Sequence, residues 1–298
     1  MSGPALTHRV PPTALVGVGA LSVQLGAALA TKLFSRVGPS GAVTLRLTIA
    51  AVVLVGASSL VRRHNSAPSG WPRGRRDVAV IVAFGVVLGA MNLAFYEAIA
   101  RIPLGVAVTL EFWGPLAVAL TGSRTWLHAL WAALAGAGVA LLAAGTGSGL
   151  DVTGVAMALL AGLFWIGYIL LGRETGRRFD TLTGLGAAMS VAAVLVLPVG
   201  LVSAGTGLVR PEVLALGCVV ALLSSAIPYS LELVALKRVS PRSFGVLLSL
   251  DPGVAALAGL VVLGQHLDAR EWLALSLVVG ANIGNSLASP RGVVATTP

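Results

Sequence analysis

A chain of 298 residues has room for one or two soluble domains, but 56% hydrophobic and 10% charged residues, with a mean hydropathy of +0.93, leave too little polar surface for a soluble exterior. The same apolar content excludes intrinsic disorder, and the lone Cys218 excludes a disulfide framework. The net charge of +9 does not mark a nucleic-acid binder, because the basic residues fall between apolar runs in the biased pattern of a membrane protein.

A helix crossing about 30 Å of hydrocarbon at 1.5 Å per residue needs about 20 mostly apolar residues. The first such run, 11–31, follows a short polar start with His8 and Arg9. It is longer than a signal-peptide core and lacks a small-residue cleavage site, so it reads as the first helix. The second, 41–61, carries Arg46 and is followed by a wet loop, 62–77, holding Arg62, Arg63, Arg73, Arg75 and Arg76. Next come 78–96, 103–122 with Glu111 inside it, 125–150, 152–172, 181–209, 213–231, 243–264 with Asp251 inside it, and 272–290. The expectation is an all-α membrane protein of ten transmembrane helices.

Ten crossings put both termini on one side. One side then carries only Lys32, Arg36, Arg101, Arg210 and Arg270, while fourteen basic residues, the loop arginines and Arg173, Arg177 and Arg178 among them, gather on the other. Lys and Arg beside a span resist translocation, so the fourteen mark the cytoplasm, with 1–13 and 290–298 as cytoplasmic ends.

An internal repeat emerges from the fourth and ninth runs. From Gly105 a hydroxyl follows four residues on (Thr109) and a carboxylate six on (Glu111); from Gly245 the same steps reach Ser249 and Asp251. Each segment is preceded by a glutamate near a helix end, Glu97 and Glu232. The matched segments lie five helices apart, an odd number, so the halves 14–150 and 151–289 are expected to be inverted five-helix repeats, the construction of many secondary transporters.

A charge at the centre of a spanning helix costs about 2.5–3.5 kcal/mol, so Arg46, Glu111 and Asp251 must face protein or water. Each could form a merely structural ion pair, or serve a solute and a proton: a carboxylate balanced between its charged and neutral forms can exchange one for the other. Prolines add a second signal. Pro115, Pro228 and Pro252 deny a hydrogen bond to the carbonyls of Glu111, Ser224 and Leu248, and an ammonium group would suit such loose acceptors. Gln24, Asn92, Tyr96, Tyr168, Ser224, Ser225, Tyr229, Asn282 and Asn285 are further polar residues inside spans. Trp113 and Trp165 could wall a cavity or simply pack. Glu97 and Glu232 read as end-of-helix partners of Arg101 and Lys237. Gly280-Ala-Asn-Ile-Gly284 has close-approach spacing, within a protomer or in a homo-oligomer.

The strings SVQLGAALA (22–30), PLGVAVTLEFWGPLAVA (103–119) and AIPYSLE (226–232), with Phe244-Gly245 and Asp251-Pro252, resemble the threonine/homoserine exporter branch of the drug/metabolite transporter superfamily, the group with paired EamA domains. The resemblance runs from about Ala14 to Ser289 and implies a ten-helix inverted repeat in the inner membrane that exports small amino acids, driven by protons. Gln24, Arg46, Asn92, Glu111, Tyr229 and Asp251 fall in the family's strings. Two departures stand out. Gln265 follows Leu263-Gly264 where the family often has glutamate, and Asp251 stands for a more usual glutamate.

The reading is therefore an exporter of zwitterionic amino acids, not an enzyme, with no cofactor or metal. Glu111 or Asp251 meets the ammonium or the proton, Arg46 meets the carboxylate, and Gln24, Asn92, Tyr96, Trp113, Trp165, Tyr168 and Tyr229 complete the candidate site. The alternatives are an exporter of cationic or hydrophobic drugs and a non-transporting scaffold. An enzyme finds no support in the sequence, which has no His-Glu-x-x-His and no Ser/His/Asp set at one depth.

Overall fold

The computed structural model describes residues 11–65, 74–120, 126–143, 151–236, 248 and 251–288, and every element among them is helical. The first, α1 (Pro12–Asn65), joins the first two apolar runs. The sequence reading ends one span at 31 and starts the next at 41. The helix instead continues through Lys32 and Arg36 and breaks only at Gly38 (φ 69°, ψ 170°), before Pro39. Glycine enters the left-handed region without a Cβ penalty and proline has no N–H to donate, so the reversal needs almost no loop. Contacts prove the reversal: Ser22 Oγ donates to the Leu223 carbonyl and Arg46 Nη2 to that of Ser224, both at 2.6 Å. A straight helix would hold positions 22 and 46 about 36 Å apart.

The chain continues as α2 (Arg75–Ile99), α3 (Leu104–Glu111), α4 (Trp113–Leu120), α5 (Trp126–Ala143), α6 (Val152–Arg178) and α7 (Thr181–Ala204), the last tightening into a 3₁₀ turn, Gly205–Val209. Then come α8 (Pro211–Ala221), a π-turn Leu222–Ala226, α9 (Ile227–Leu236), α10 (Asp251–Leu263) and α11 (Ala269–Ala288). Among the described residues five stretches are long and apolar enough to cross a membrane: Ala14–Val61, Arg75–Ile99, Val152–Arg178, Leu182–Val209 and Pro211–Leu231. Leu104–Val118 and Asp251–Leu263 are shorter apolar helices.

Polar residues set the helix ends. Asp151 and Asp180 cap α6 and α7 by accepting from the N–H groups of Gly154 (2.9 Å) and Thr183 (3.1 Å). Before α11, Asp268 and Glu271 bond reciprocally to each other's N–H, a capping box. At the end of α10, Gly264 (φ 66°) donates its N–H to Leu260 O, the bond of an αL cap, and the N–H of Gln265 reaches Gly259 O.

The ion pairs sort into two rims. Near the start of α2, Asp77 pairs with Arg178 at 3.0 Å, and Arg178 also holds Glu174. Near its end, Glu97 pairs with Arg101, as the sequence spacing suggested, and accepts from Ser40 Oγ at 3.3 Å. Arg36 pairs with Glu212 at 3.1 Å. Positions 77 and 97 are about 30 Å apart on one helix, the thickness of the hydrocarbon core. Between the rims the outward surface is apolar, and Val202 is 90% exposed, a face that suits lipid and not water. The partner expected for Glu232, Lys237, lies outside the described residues.

Within the bundle α2 packs on α6, the second arm of α1 on α7 and α8, its first arm on the π-turn, α3 on α10, and α5 on α11. Of the Gly280–Gly284 pair, only Gly284 is needed in the contact with α5. A Cβ there would meet the Trp131 ring at 2.4 Å, whereas one on Gly280 would meet nothing within 4 Å.

The cap on α6 carries a pH prediction. The Gly154 N–H, and behind it Thr153, hold the Asp151 carboxyl below its ordinary value. A depressed acid stabilises the fold above its unfolded value and loses that contribution as pH falls through its folded one. Asp151→Ala is expected to lower the melting temperature in detergent at pH 7, with the gap to wild type closing below about pH 4. A gap of constant size across that range contradicts the assignment.

Candidate functional site

The site is built around Arg46, which is 4% exposed on the second arm of α1. Its Nε donates to Ser225 Oγ at 2.8 Å and its Nη2 to Ser224 O at 2.6 Å, both in the π-turn. Four residues after Ser224 stands Pro228, which has no N–H to return to that carbonyl. The loose acceptor anticipated there for a ligand ammonium is thus taken by the protein's own guanidinium. The turn sits directly on the first arm of α1: a Cβ on Gly26 would come within 2.7 Å of Ser224 Cβ and 2.8 Å of its N. Ser224 Oγ turns back to Val220 O at 2.6 Å.

Tyr96, fully buried on α2, offers its ring to Arg46 with Cζ 5.3 Å from the centroid, a cation–π arrangement, and packs on Phe34 at 5.8 Å. Tyr229 and Glu111 lie close enough to act on the guanidinium charge. The ion pairs closed among the described residues sit at helix ends, and Arg46 with Glu111 is not one of them. The two are neighbours without being locked together.

Glu111, 7% exposed, ends α3. Pro115 denies its carbonyl a helical partner, and the helix is interrupted at Phe112, which keeps helical dihedrals (φ −65°, ψ −12°), before α4 begins. The break is wedged against α6. Trp113 Nε1 donates to Leu159 O at 2.9 Å, and Gly114 and Gly162 approach so closely that a Cβ on Gly114 would lie 2.0 Å from Gly162 O.

Asp251, 5% exposed, opens α10. Leu104 lies beside Gly259 and Gly105 beside Ala256, so α3 and α10 run antiparallel in contact. Glu111 is about 9 Å along α3 from Gly105 and Asp251 about 7.5 Å along α10 from Ala256, which brings the two carboxylates to one level. Gln265 joins the same pair of helices: its Oε1 accepts the Leu104 N–H at 3.0 Å and caps α3. That is the work of the side chain standing where the family often has glutamate.

Of the remaining sequence candidates, Tyr168 and Tyr229 have ring centroids 6.2 Å apart, and Tyr168 also meets Phe84 at 5.4 Å. Trp165 stands edge-on to Phe112 at 5.1 Å, beside the helix break. Gln24 is buried on α1. Two candidates are turned to the scaffold: Asn92 Nδ2 donates to Leu88 O of its own helix at 2.8 Å, and Trp113 spends its N–H on Leu159. Sequence reasoning missed Ser224 and Ser225 as the seat of Arg46, and Gln265 as a cap. The spacing from Ser224 to Pro228 carried the signal for the first. Among the described residues no group of His, Cys, Asp and Glu could hold a metal ion.

The EamA-like transporter family matches residues 152–287. The threonine/homoserine exporter RhtA of Salmonella typhimurium (strain LT2) is 38% identical over 293 residues, 97% of this chain and 96% of that protein. RhtA of Escherichia coli (strain K12) is 39% identical over 289 residues, 95% of each chain. The uncharacterized transporter YwfM of Bacillus subtilis is 30% identical over 157 residues, 52% of each chain. A solved structure, described only as a crystal structure of a protein, shares the fold at a TM-score of 0.64 and 23% identity, covering 94% of this chain and 98% of that one. The buried charges, the apolar helices and near-full-length relatives agree: this chain is a multi-pass membrane protein, not an enzyme, and belongs to the EamA-like transporter family, in the threonine/homoserine exporter branch of the drug/metabolite transporter superfamily.

Proposed function

We propose that the chain exports small zwitterionic amino acids, threonine and homoserine among them, across the cell inner membrane by proton antiport with alternating access. The observation that carries the reading is the buried guanidinium of Arg46, seated between residues 14–150 and 151–289 with Glu111 near it and Asp251 at the level of Glu111. The printed names of the RhtA relatives supply the substrate class.

The reading takes ten crossings in two inverted five-helix repeats, with both termini cytoplasmic. Packing supports it. If α1 counts as the first two crossings, α3–α4 as the fourth and α8–α9 as the eighth, then second meets seventh, fourth meets ninth and fifth meets tenth. Third on sixth is mirrored by eighth on first. Exchanging each crossing with the one five positions on leaves this set of contacts unchanged, the pattern that an inverted repeat requires.

In the proposed cycle the substrate carboxylate meets the guanidinium as a charge-assisted fork, and the ammonium meets Glu111 or Asp251. A proton taken by the same carboxylate from the outer side displaces the ammonium, and the halves rock about the site. Tyr168, Tyr229 and Trp165 wall it, and Gln24 and Asn92 flank it. A zwitterion leaving against one entering proton moves one positive charge inward, so a membrane potential adds about 2.3 kcal/mol per 100 mV to the drive.

Efflux of labelled threonine from proteoliposomes under imposed pH and potassium-diffusion gradients tests this. Wild type is expected to respond to both gradients, and Glu111→Gln and Asp251→Asn to lose the response to pH. Wild-type rates in both variants would show the carboxylates to be idle. The ring cluster Phe84, Tyr168 and Tyr229 favours a second reading, export of aromatic or cationic drugs, but the positive charge of Arg46 opposes a cation. Resistance to quaternary ammonium dyes without resistance to amino-acid analogues would select it.

A further inference from the structure

We propose that the π-turn Leu222–Ala226, with Ser225 and Pro228, is a positioning element that fixes the plane of the Arg46 guanidinium so that one fork edge points at the substrate carboxylate; this rests on the reading that Arg46 meets that carboxylate.

Three observations carry it. An arginine has five N–H donors, and a parallel pair can be offered from its side, Nε with Nη2, or from its end, Nη1 with Nη2. The two bonds to the turn use the side: Nε goes to Ser225 Oγ and Nη2 to Ser224 O. Two bonds from adjacent nitrogens remove rotation about the last side-chain torsions and fix the plane, with the Tyr96 ring against the guanidinium face, Cζ 5.3 Å from its centroid, and the end-on edge outside both bonds to the turn.

The acceptor exists only because the helix is irregular. In a regular helix the residue at 228 would return its N–H to Ser224 O; proline cannot, and a π-turn with Ile227 N–H bonded to Leu222 O stands in its place. The turn is also held from behind. Gly26 presses on the backbone of Leu223 and Ser224, and Ser22 Oγ holds Leu223 O at 2.6 Å, so both arms of α1 grip it. A π-turn placed for packing alone would not need a hydroxyl at 225 aimed at the Nε of a buried arginine.

The experiment uses the full chain, labelled with ¹⁵N at arginine Nε and reconstituted in nanodiscs, with threonine efflux measured in proteoliposomes. The Arg46 Nε–H resonance is assigned by its loss in Arg46→Lys. Ser225→Ala and Pro228→Ala are expected to speed exchange of that proton at least ten-fold and to raise KM for threonine about ten-fold with the maximal rate unchanged, the cost of one charge-assisted hydrogen bond. Ser225→Thr keeps the hydroxyl and is expected to restore both values. Exchange and KM within two-fold of wild type in Ser225→Ala, in protein that melts as wild type does, would overturn the proposal, and that variant decides alone if Pro228→Ala does not fold. Should Arg46→Lys carry threonine at the wild-type KM, the reading of Arg46 as carboxylate binder fails, while the exchange rates still decide whether the turn positions it.

Discussion

Gly162→Ala is expected to unseat the broken helix that carries Glu111. The new Cβ would lie 2.5 Å from Trp113 Nε1 and 2.6 Å from Glu111 O, and Gly114 already brings its own backbone against Gly162 O. No flexible side-chain tip stands there to swing aside, so α6 must move away from the α3–α4 break. Overpacking of this kind costs about 1–3 kcal/mol, and loss of the Trp113–Leu159 bond adds about 0.5–1.5 kcal/mol. The displaced atoms include the carbonyl next to the Glu111 side chain, so transport is expected to fall with stability. Thermal unfolding in detergent and efflux in proteoliposomes check both. Gly136→Ala is the control. Nothing lies within 4 Å of a Cβ there, and alanine is the better helix former, so no loss is expected. Equal behaviour of the two variants would contradict the close approach.

Arg46→Met is the second large effect. It removes both bonds to the π-turn and leaves the Ser224 carbonyl, which Pro228 has already deprived of a helical partner, without its buried donor. It also strips Glu111 of the nearby positive charge. Hydrogen bonds to a charged group are worth about 1.5–3 kcal/mol each, and leaving the buried carbonyl unsatisfied costs about 1–3 kcal/mol. The double variant Arg46→Met/Glu111→Gln removes both side chains at once, and its stability is expected to depart from the sum of the two single changes. Strict additivity would show that the two side chains do not interact.

The elements that the sequence revealed best were those with one physical cause. Apolar run length found the helices, because lipid admits little else. Pro115 located the break at Phe112, and Pro228 located the irregular turn before it, because a missing N–H acts within four residues. The position of Arg46 in the second run showed that a buried cation had to be accommodated.

What stayed hidden depends on which face meets which. The carbonyl freed by Pro228 could have served a ligand or the protein, and only the fold-back of α1 at Gly38 brings Arg46 to it. Asn92 and Trp113 read as site residues because they are polar or amphipathic inside a span; their partners, Leu88 O and Leu159 O, are backbone atoms that no side-chain pattern advertises. Gln265 was seen as a departure from the family and is a helix cap, a contact between segments 161 positions apart. The glycines behave likewise. Gly284 and Gly280 are equivalent by spacing, and only Gly284 has Trp131 against it.

The most direct test of the account is whether the polar centre opens to water from each side of the membrane and closes on a substrate. Cys218 is the chain's one cysteine, so Cys218→Ser with Tyr168→Cys places a single thiol beside Tyr229. With a membrane-impermeant maleimide applied to oriented vesicles from one face at a time, labelling is expected from both faces, with threonine slowing it from each. A thiol that is unreactive from either face, or whose labelling ignores threonine and homoserine alike, would contradict a substrate site shared by the two halves.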